Sequence, residues 1–164
     1  MEAGGPHVIV IGLGNPGRGD DGVGRAVAIR LRGAIQADVT VAEADGEATE
    51  LLDLLDGVDR AFLIDACVSG APAGTVRRFD ITAGEMPPSA SPCSSHGMGL
   101  AEALALAHAL DQLPPCCIVY AVEGLCFEPG AGLSAPVVAA VSRVVACVAA
   151  ELADREKPEC AVPR

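Results

Sequence analysis

A chain of 164 residues that is 51% hydrophobic suits one domain burying roughly 70% of the surface its unfolded form exposes, and leaves no room for separate catalytic and binding domains. Its formal net charge of −11 excludes nucleic acid as a natural partner, because that affinity comes from Lys and Arg displacing counterions from phosphates. No apolar run reaches the roughly 20 residues of a membrane span, and the odd set Cys67, Cys93, Cys116, Cys117, Cys126, Cys147 and Cys160 has no CxxC spacing, which fits reduced, filler thiols in a cytoplasmic protein.

Met1 to Pro6 carry no basic n-region, so the apolar run Val8 to Leu13 reads as a first strand and not as a leader. Gly22 to Arg32 places Val23, Ala26, Val27 and Leu31 at helical spacing, with Arg25, Arg30 and Arg32 on the polar side. Val39 to Glu43 is a second strand and Ala48 to Leu55 a short helix. Arg60 to Asp65 is a buried third strand ending on an aspartate. Thr75 to Phe79 is a fourth strand, placed at an edge by its two arginines. Asp80 to Ser95 is a long loop rich in Pro, Ser and Gly, followed by a helix from about Gly97 to Asp111 and a strand from Cys117 to Val122. Leu133 to Ala153 is the last helix. The alternation predicts a single three-layer α/β/α domain over residues 1–154, with a largely parallel, roughly five-stranded twisted sheet and a fraying tail over 155–164.

The first strand runs into Gly12-Leu13-Gly14-Asn15-Pro16-Gly17, a literal G-x-G-x-x-G. In a dinucleotide fold this loop opens a helix whose N–H groups hold a pyrophosphate. Here Pro16 removes a donor, and Arg18-Gly19-Asp20-Asp21 delays the helix and sets two carboxylates at its start, where they repel phosphate. The same letters open peptidyl-tRNA hydrolase, which makes an esterase of that kind the rival reading. That family continues into Tyr and a Thr-Arg-His-Asn stretch, whereas this chain has Arg-Gly-Asp-Asp-Gly-Val-Gly and no further histidine before His96.

In an open α/β sheet, ligand groups gather beyond the carboxyl ends of the strands. Asp21 follows the first strand, Asp65 closes the third, and His96 ends the long loop in Ser94-Ser95-His96-Gly97. Two carboxylates and an imidazole make a ligand set for Ni, Zn or Mn with positions left open for substrate or water. Each residue also has a plainer role: Asp20 or Asp21 as a helix cap, Asp65 as a cap or a solvated strand end, His96 as a helix-start residue. His7 and His108 read as surface histidines. No Gly-x-Ser-x-Gly elbow is present, and no cysteine has an evident His and Asn partner set.

Taken together, Gly12-Leu13-Gly14-Asn15 with Asp20-Asp21-Gly22-Val23-Gly24, Asp45-Gly46, Ile64-Asp65-Ala66, Pro72-Ala73-Gly74-Thr75, Ser95-His96-Gly97-Met98-Gly99-Leu100 and Glu128-Pro129-Gly130-Ala131-Gly132-Leu133-Ser134 resemble, in order, the signatures of the hydrogenase maturation proteases. The resemblance spans about Val8 to Leu152. It implies an endopeptidase that recognises nickel already installed in a [NiFe]-hydrogenase large-subunit precursor and removes that subunit's C-terminal extension. Asp21, Asp65 and His96 would be catalytic residues that complete the coordination of the substrate's nickel, or of another divalent metal in vitro. Asp20 and Asp45 would position substrate or water. The free protein is expected to be a monomer, and a non-catalytic nickel-binding maturation chaperone on the same scaffold is the alternative. One departure stands out: Glu47 replaces the second glycine of the family's Asp-Gly-Gly loop, where it would be strained or would add charge to the cleft.

Overall fold

The computed structural model describes residues 5–36, 38–88 and 99–154; the expected tail 155–164 and the stretch 89–98, which holds His96, lie outside them. Strands β1 (Val8–Leu13), β2 (Val39–Ala44), β3 (Arg60–Cys67), β4 (Val76–Asp80) and β5 (Cys116–Glu123) are joined through helices α1 (Val23–Arg32), α2 (Ala48–Leu55), α3 (Leu100–Ala109) and α4 (Ala135–Ala153). The strands form one sheet in the order β2-β1-β3-β5-β4. All neighbours run parallel except β4, which lies antiparallel to β5 at an edge.

Residue type explains the layering. The central strands β3 and β5 are covered on both faces, so their interiors, Ala61-Phe62-Leu63-Ile64 and Cys117-Ile118-Val119-Tyr120, are continuous apolar runs. Strand alternation sends Phe62, Ile64, Ile118 and Tyr120 to one side, against Val23, Val27 and Leu31 of α1 and Val137, Val141, Val144 and Val148 of α4. Ala61, Leu63, Cys117 and Val119 face the other way, against Leu51 and Leu55 of α2 and Leu104 of α3. Helix α1 lies so close to the sheet that a Cβ on Gly24 would overlap the carbonyl oxygens of Leu13 and Ile64.

By length and composition α4, 19 residues with a mean hydropathy of 1.8, meets the requirement for a membrane span. Here its buried stripe of valines packs on the sheet, and its polar groups have partners within the fold. Arg143 donates to the Gly74 carbonyl (2.6 Å), and Glu151 accepts two bonds from Arg78 of β4 (2.7 and 2.9 Å) and one from the Tyr120 hydroxyl of β5.

Strand β3 also runs two residues beyond the expected end at Asp65. Its partner β5 extends to Glu123, and the pairs Ala66 with Val122 and Cys67 with Glu123 continue the ladder. Asp65 is therefore held within a strand, opposite Ala121, and does not terminate it.

Candidate active site

The chain leaves β1 for β2 on one side of the sheet and returns to β3 on the other, crossing from the α1 face to the α2 face. In a sheet of this kind the reversal opens a crevice at the carboxyl ends of the two diverging strands. Asp21 and Asp65 are delivered there, the first by the segment after β1 and the second by β3 itself.

The segment after β1 is not a phosphate cradle. Gly14 has φ +112°, a conformation that glycine adopts without strain, and a Cβ there would overlap the carbonyl oxygen of Asp21. The loop thus folds onto its own aspartate: the Asn15 N–H, one of the donors a pyrophosphate would need, is given to Asp21 Oδ2 (2.8 Å). A 3-10 turn, Gly19–Gly22, then separates the loop from α1. The result is a buried Asp21 facing the end of β3.

Asp65 is half-buried, and its Oδ1 accepts from the Ala66 N–H (2.8 Å). Burial, and after it the charge of Asp21, pushes its carboxyl up to about 7 against an ordinary 3.8. A buried carboxyl whose proton affinity is raised by a neighbouring carboxylate's charge marks a place that favours a cation. No Lys or Arg makes an ion pair with Asp65 among the described residues.

The adjacent Asp20 is turned away from this pair. Fully buried, its carboxylate accepts from the N–H groups of Leu125 (2.7 Å), Cys126 (3.0 Å) and Ser134 (2.7 Å) and from the Ser134 hydroxyl (2.8 Å). Burial alone would favour the acid, yet these donors hold its proton affinity below the ordinary carboxylate value. It ties the start of α1 to the loop that follows β5.

Asp45 lies one residue beyond β2 and is exposed. It pairs with the guanidinium of Arg25, whose Nε also donates to the Gly14 carbonyl (2.6 Å), so the Asp45 loop is latched to the glycine loop. The strain expected at Glu47 is absent: Glu47 has φ −63° and ψ 136°, ordinary extended values just before α2. The left-handed turn is taken by Gly46, φ +92°, and the Glu47 side chain is exposed.

Sequence reasoning passed over Glu123. Buried at the end of β5, it accepts from Ser69 N (2.8 Å), Ser69 Oγ (2.7 Å), Gly70 N (3.1 Å) and Cys67 Sγ (3.4 Å). Burial opposes its charge, and the bonds from Ser69, Cys67 and Gly70 overcome it and keep Glu123 ionised below the usual range. The Cys67 thiol is driven the other way, to about 12, by burial and by Glu123, which disqualifies it as a thiolate nucleophile. A glutamate closing an apolar strand was the available signal, since such a charge is kept only where donors surround it.

The structure therefore brings Asp21 and Asp65 to one crevice, puts Asp45 on its rim and turns Asp20 inward. His96, the third expected ligand, lies outside the described residues. Among the described residues no group of three His, Cys, Asp or Glu side chains is arranged to hold a metal. His7 and His108 are exposed, and His7 lies at the amino end of β1 against Asp59, opposite the crevice.

The family model of the hydrogenase maturation proteases matches residues 26–151. The hydrogenase expression/formation protein HupD of Thiocapsa roseopersicina is 30% identical over 122 residues, 72% of this chain. The chain spans about half (54%) of that relative's length. Among solved structures, the hydrogenase maturating endopeptidase HybD of E. coli superposes with a TM-score of 0.74 at 23% identity, covering 90% of this chain and 93% of that one. The [NiFe] hydrogenase maturation protease HycI of Thermococcus kodakarensis KOD1 does so with a TM-score of 0.68 at 19% identity, covering 92% and 95%. These two likenesses establish the α/β/α fold, and the family model, which matches more than half of the sequence, establishes the kinship: the chain belongs to the hydrogenase maturation protease family.

Proposed function

We propose that this chain is an endopeptidase of the cytoplasm that removes the C-terminal extension of a [NiFe]-hydrogenase large-subunit precursor after nickel has been inserted. The observation that carries the reading is the carboxylate pair, Asp21 and Asp65, held on separate elements at the switch point of the sheet in a chain of this family. Their mutual charge favours a divalent cation, and hard carboxylate oxygens with an imidazole from His96 suit nickel. The nickel belongs to the substrate: the precursor holds it, and Asp21, Asp65 and His96 complete its coordination.

In this scheme recognition and chemistry share one set of contacts. Asp21 is pre-aimed by the Asn15 amide and Asp65 by its place in the β3 ladder, so little reorganisation is needed when the metal arrives. The nickel then lies against the scissile carbonyl, as a Lewis acid or as the point that positions it for water. Asp45, on the rim with Arg25, orients the incoming chain. Asp20 positions indirectly, by fixing the segment that carries Asp21. The free thiols of Cys67, Cys116, Cys117, Cys126 and Cys147 suit a reducing compartment.

The test is to incubate the purified protein with nickel-loaded and with nickel-free precursor and to weigh the products by mass spectrometry. Only the loaded precursor is expected to lose its extension. Unchanged masses in both would favour the chaperone reading, and efficient trimming of the nickel-free form would refute recognition through nickel.

A further inference from the structure

At the amino end of the sheet, opposite the Asp21–Asp65 crevice, the fold holds a cavity of about 640 Å³. Its floor is one cross-strand row. Val39, Val8, Arg60 and Cys116, the first residues of β2, β1, β3 and β5, are register partners and project to the same face. All four are half-buried, whereas Val10, Phe62 and Ile118, two residues further along that face, are closed beneath α1 and α4. Ile35, just after α1, and Ala149, Leu152 and Ala153, at the end of α4, form walls of the cavity.

Among the floor residues Arg60 alone is charged. Its guanidinium lies over the Phe62 ring, 4.9 Å from the centroid, and its buried Nε makes no hydrogen bond. The carboxylate whose proton affinity it lowers, Glu151 of α4, is already committed to Arg78 and Tyr120. A buried donor in this state favours an incoming acceptor, and the apolar lining around it favours one carried on an apolar segment.

The end of α4 points to a segment of that kind. Ala153 is both a wall of the cavity and the last residue of the helix, and the chain continues from Asp154 into Arg155-Glu156-Lys157-Pro158-Glu159-Cys160-Ala161-Val162-Pro163-Arg164. That stretch joins a carboxylate, Glu159, to the apolar run Cys160 to Pro163, in complement to Arg60 and the apolar floor. The chain from Ala153 to Val162 can span up to roughly 30 Å, ample to turn back over a cavity that begins at Ala153. The tether also gives a local concentration on the order of millimolar.

We propose that the cavity is the docking site of this chain's own segment 155–164: Cys160, Ala161 and Val162 lie on the floor between Val8 and Cys116, and the Glu159 carboxylate accepts from Arg60. Docking fastens the end of α4 to the amino ends of the strands, away from the crevice, and so braces the sheet without entering the reaction. The inference stands apart from the peptidase reading.

The experiment uses the full chain and its native thiols. Labelling of Cys116 and Cys117 by iodoacetamide is followed in time by mass spectrometry for wild type, Val162→Asp, Glu159→Lys and Lys157→Ser, and wild type is also treated with a short bismaleimide. Cys117 is fully buried and faces the other side of the sheet, so its rate reports general loosening. Val162→Asp is expected to speed Cys116 labelling about tenfold or more and Glu159→Lys about threefold or more, because labelling follows the population in which the segment is undocked. Cys117 should be unchanged, and Lys157→Ser should stay within about twofold of wild type. The bismaleimide should join Cys160 to Cys116 within one chain. A Cys116 rate that Val162→Asp leaves unchanged would mean that the cavity receives something other than this segment, and overturns the proposal. A Cys116–Cys160 link found only between two chains, seen as a dimer on a denaturing gel, overturns it as well, since the occupant would then be a second copy's segment.

Discussion

Asp20 and Asp21 are neighbours in the chain with opposite work to do. Asp20 accepts four hydrogen bonds from the β5–α4 loop and is held ionised by them; Asp21 turns into the crevice, where its charge raises the proton affinity of Asp65. Asp20→Asn puts an amide NH2 among donors that need an acceptor, and should cost about 2–4 kcal/mol in urea unfolding. The sign of its pH dependence follows from a folded-state value below the unfolded 3.8. The contribution is complete above that pH and is lost as pH falls toward the folded value, so the gap between wild type and Asp20→Asn should narrow on acidification from pH 5 to pH 2. A gap that widens in acid would show that the donors do not stabilise the charge. Asp21→Asn, by contrast, should leave urea unfolding near wild type and, if Asp21 ligates the substrate's nickel as proposed, lower processing more than roughly a hundredfold, since losing a ligating charge removes several kcal/mol from the reaction. Turnover by mass spectrometry beside the melt separates the two outcomes. Nothing in the letters Asp20-Asp21 tells which faces inward, because the answer lies in Leu125, Cys126 and Ser134, more than a hundred residues away.

The elements were legible where one physical signal dominates. β1, α2 and the edge placement of β4 follow from apolar runs, helical spacing and paired arginines, all local properties. Ends were less so: β3 outlasts Asp65 because β5 supplies partners for two more residues, and the β5 boundary moves with it. α1 is held to the sheet through Gly24, which in an isolated helix would be a weakness. Gly24→Ala should gain up to about 1 kcal/mol in helix propensity yet lose more, about 3 kcal/mol or above, because the new Cβ meets the carbonyls of Leu13 and Ile64, which are backbone atoms with nowhere to move. The urea midpoint should fall at constant slope; a midpoint at or above wild type would mean that helix and sheet can separate at little cost. α4 is fastened at its far end by Glu151, Arg78 and Tyr120, a link between a last helix and an edge strand that no spacing rule announces.

The assembled crevice draws on β1, β3 and the loops after them, and in the proposed mechanism its metal arrives with the substrate. Enzyme treated with a chelator and then desalted should therefore process nickel-loaded precursor at the untreated rate, measured by mass spectrometry over time. A loss of activity that returns only when metal is given back to the enzyme would place the metal on the wrong partner. By itself the sequence determined the fold class, the family and the candidates Asp21, Asp65 and His96, because hydrophobic periodicity and ordered signatures are written in the order of residues. Only the tertiary structure decided that Asp20 serves as a brace, that Glu123 is a second one, and that Gly46 and not Glu47 takes the left-handed turn. Each of these depends on which groups meet across the sheet, and hydrogen-bond partners and charge neighbours at such separations are set by packing, which has no period along the chain.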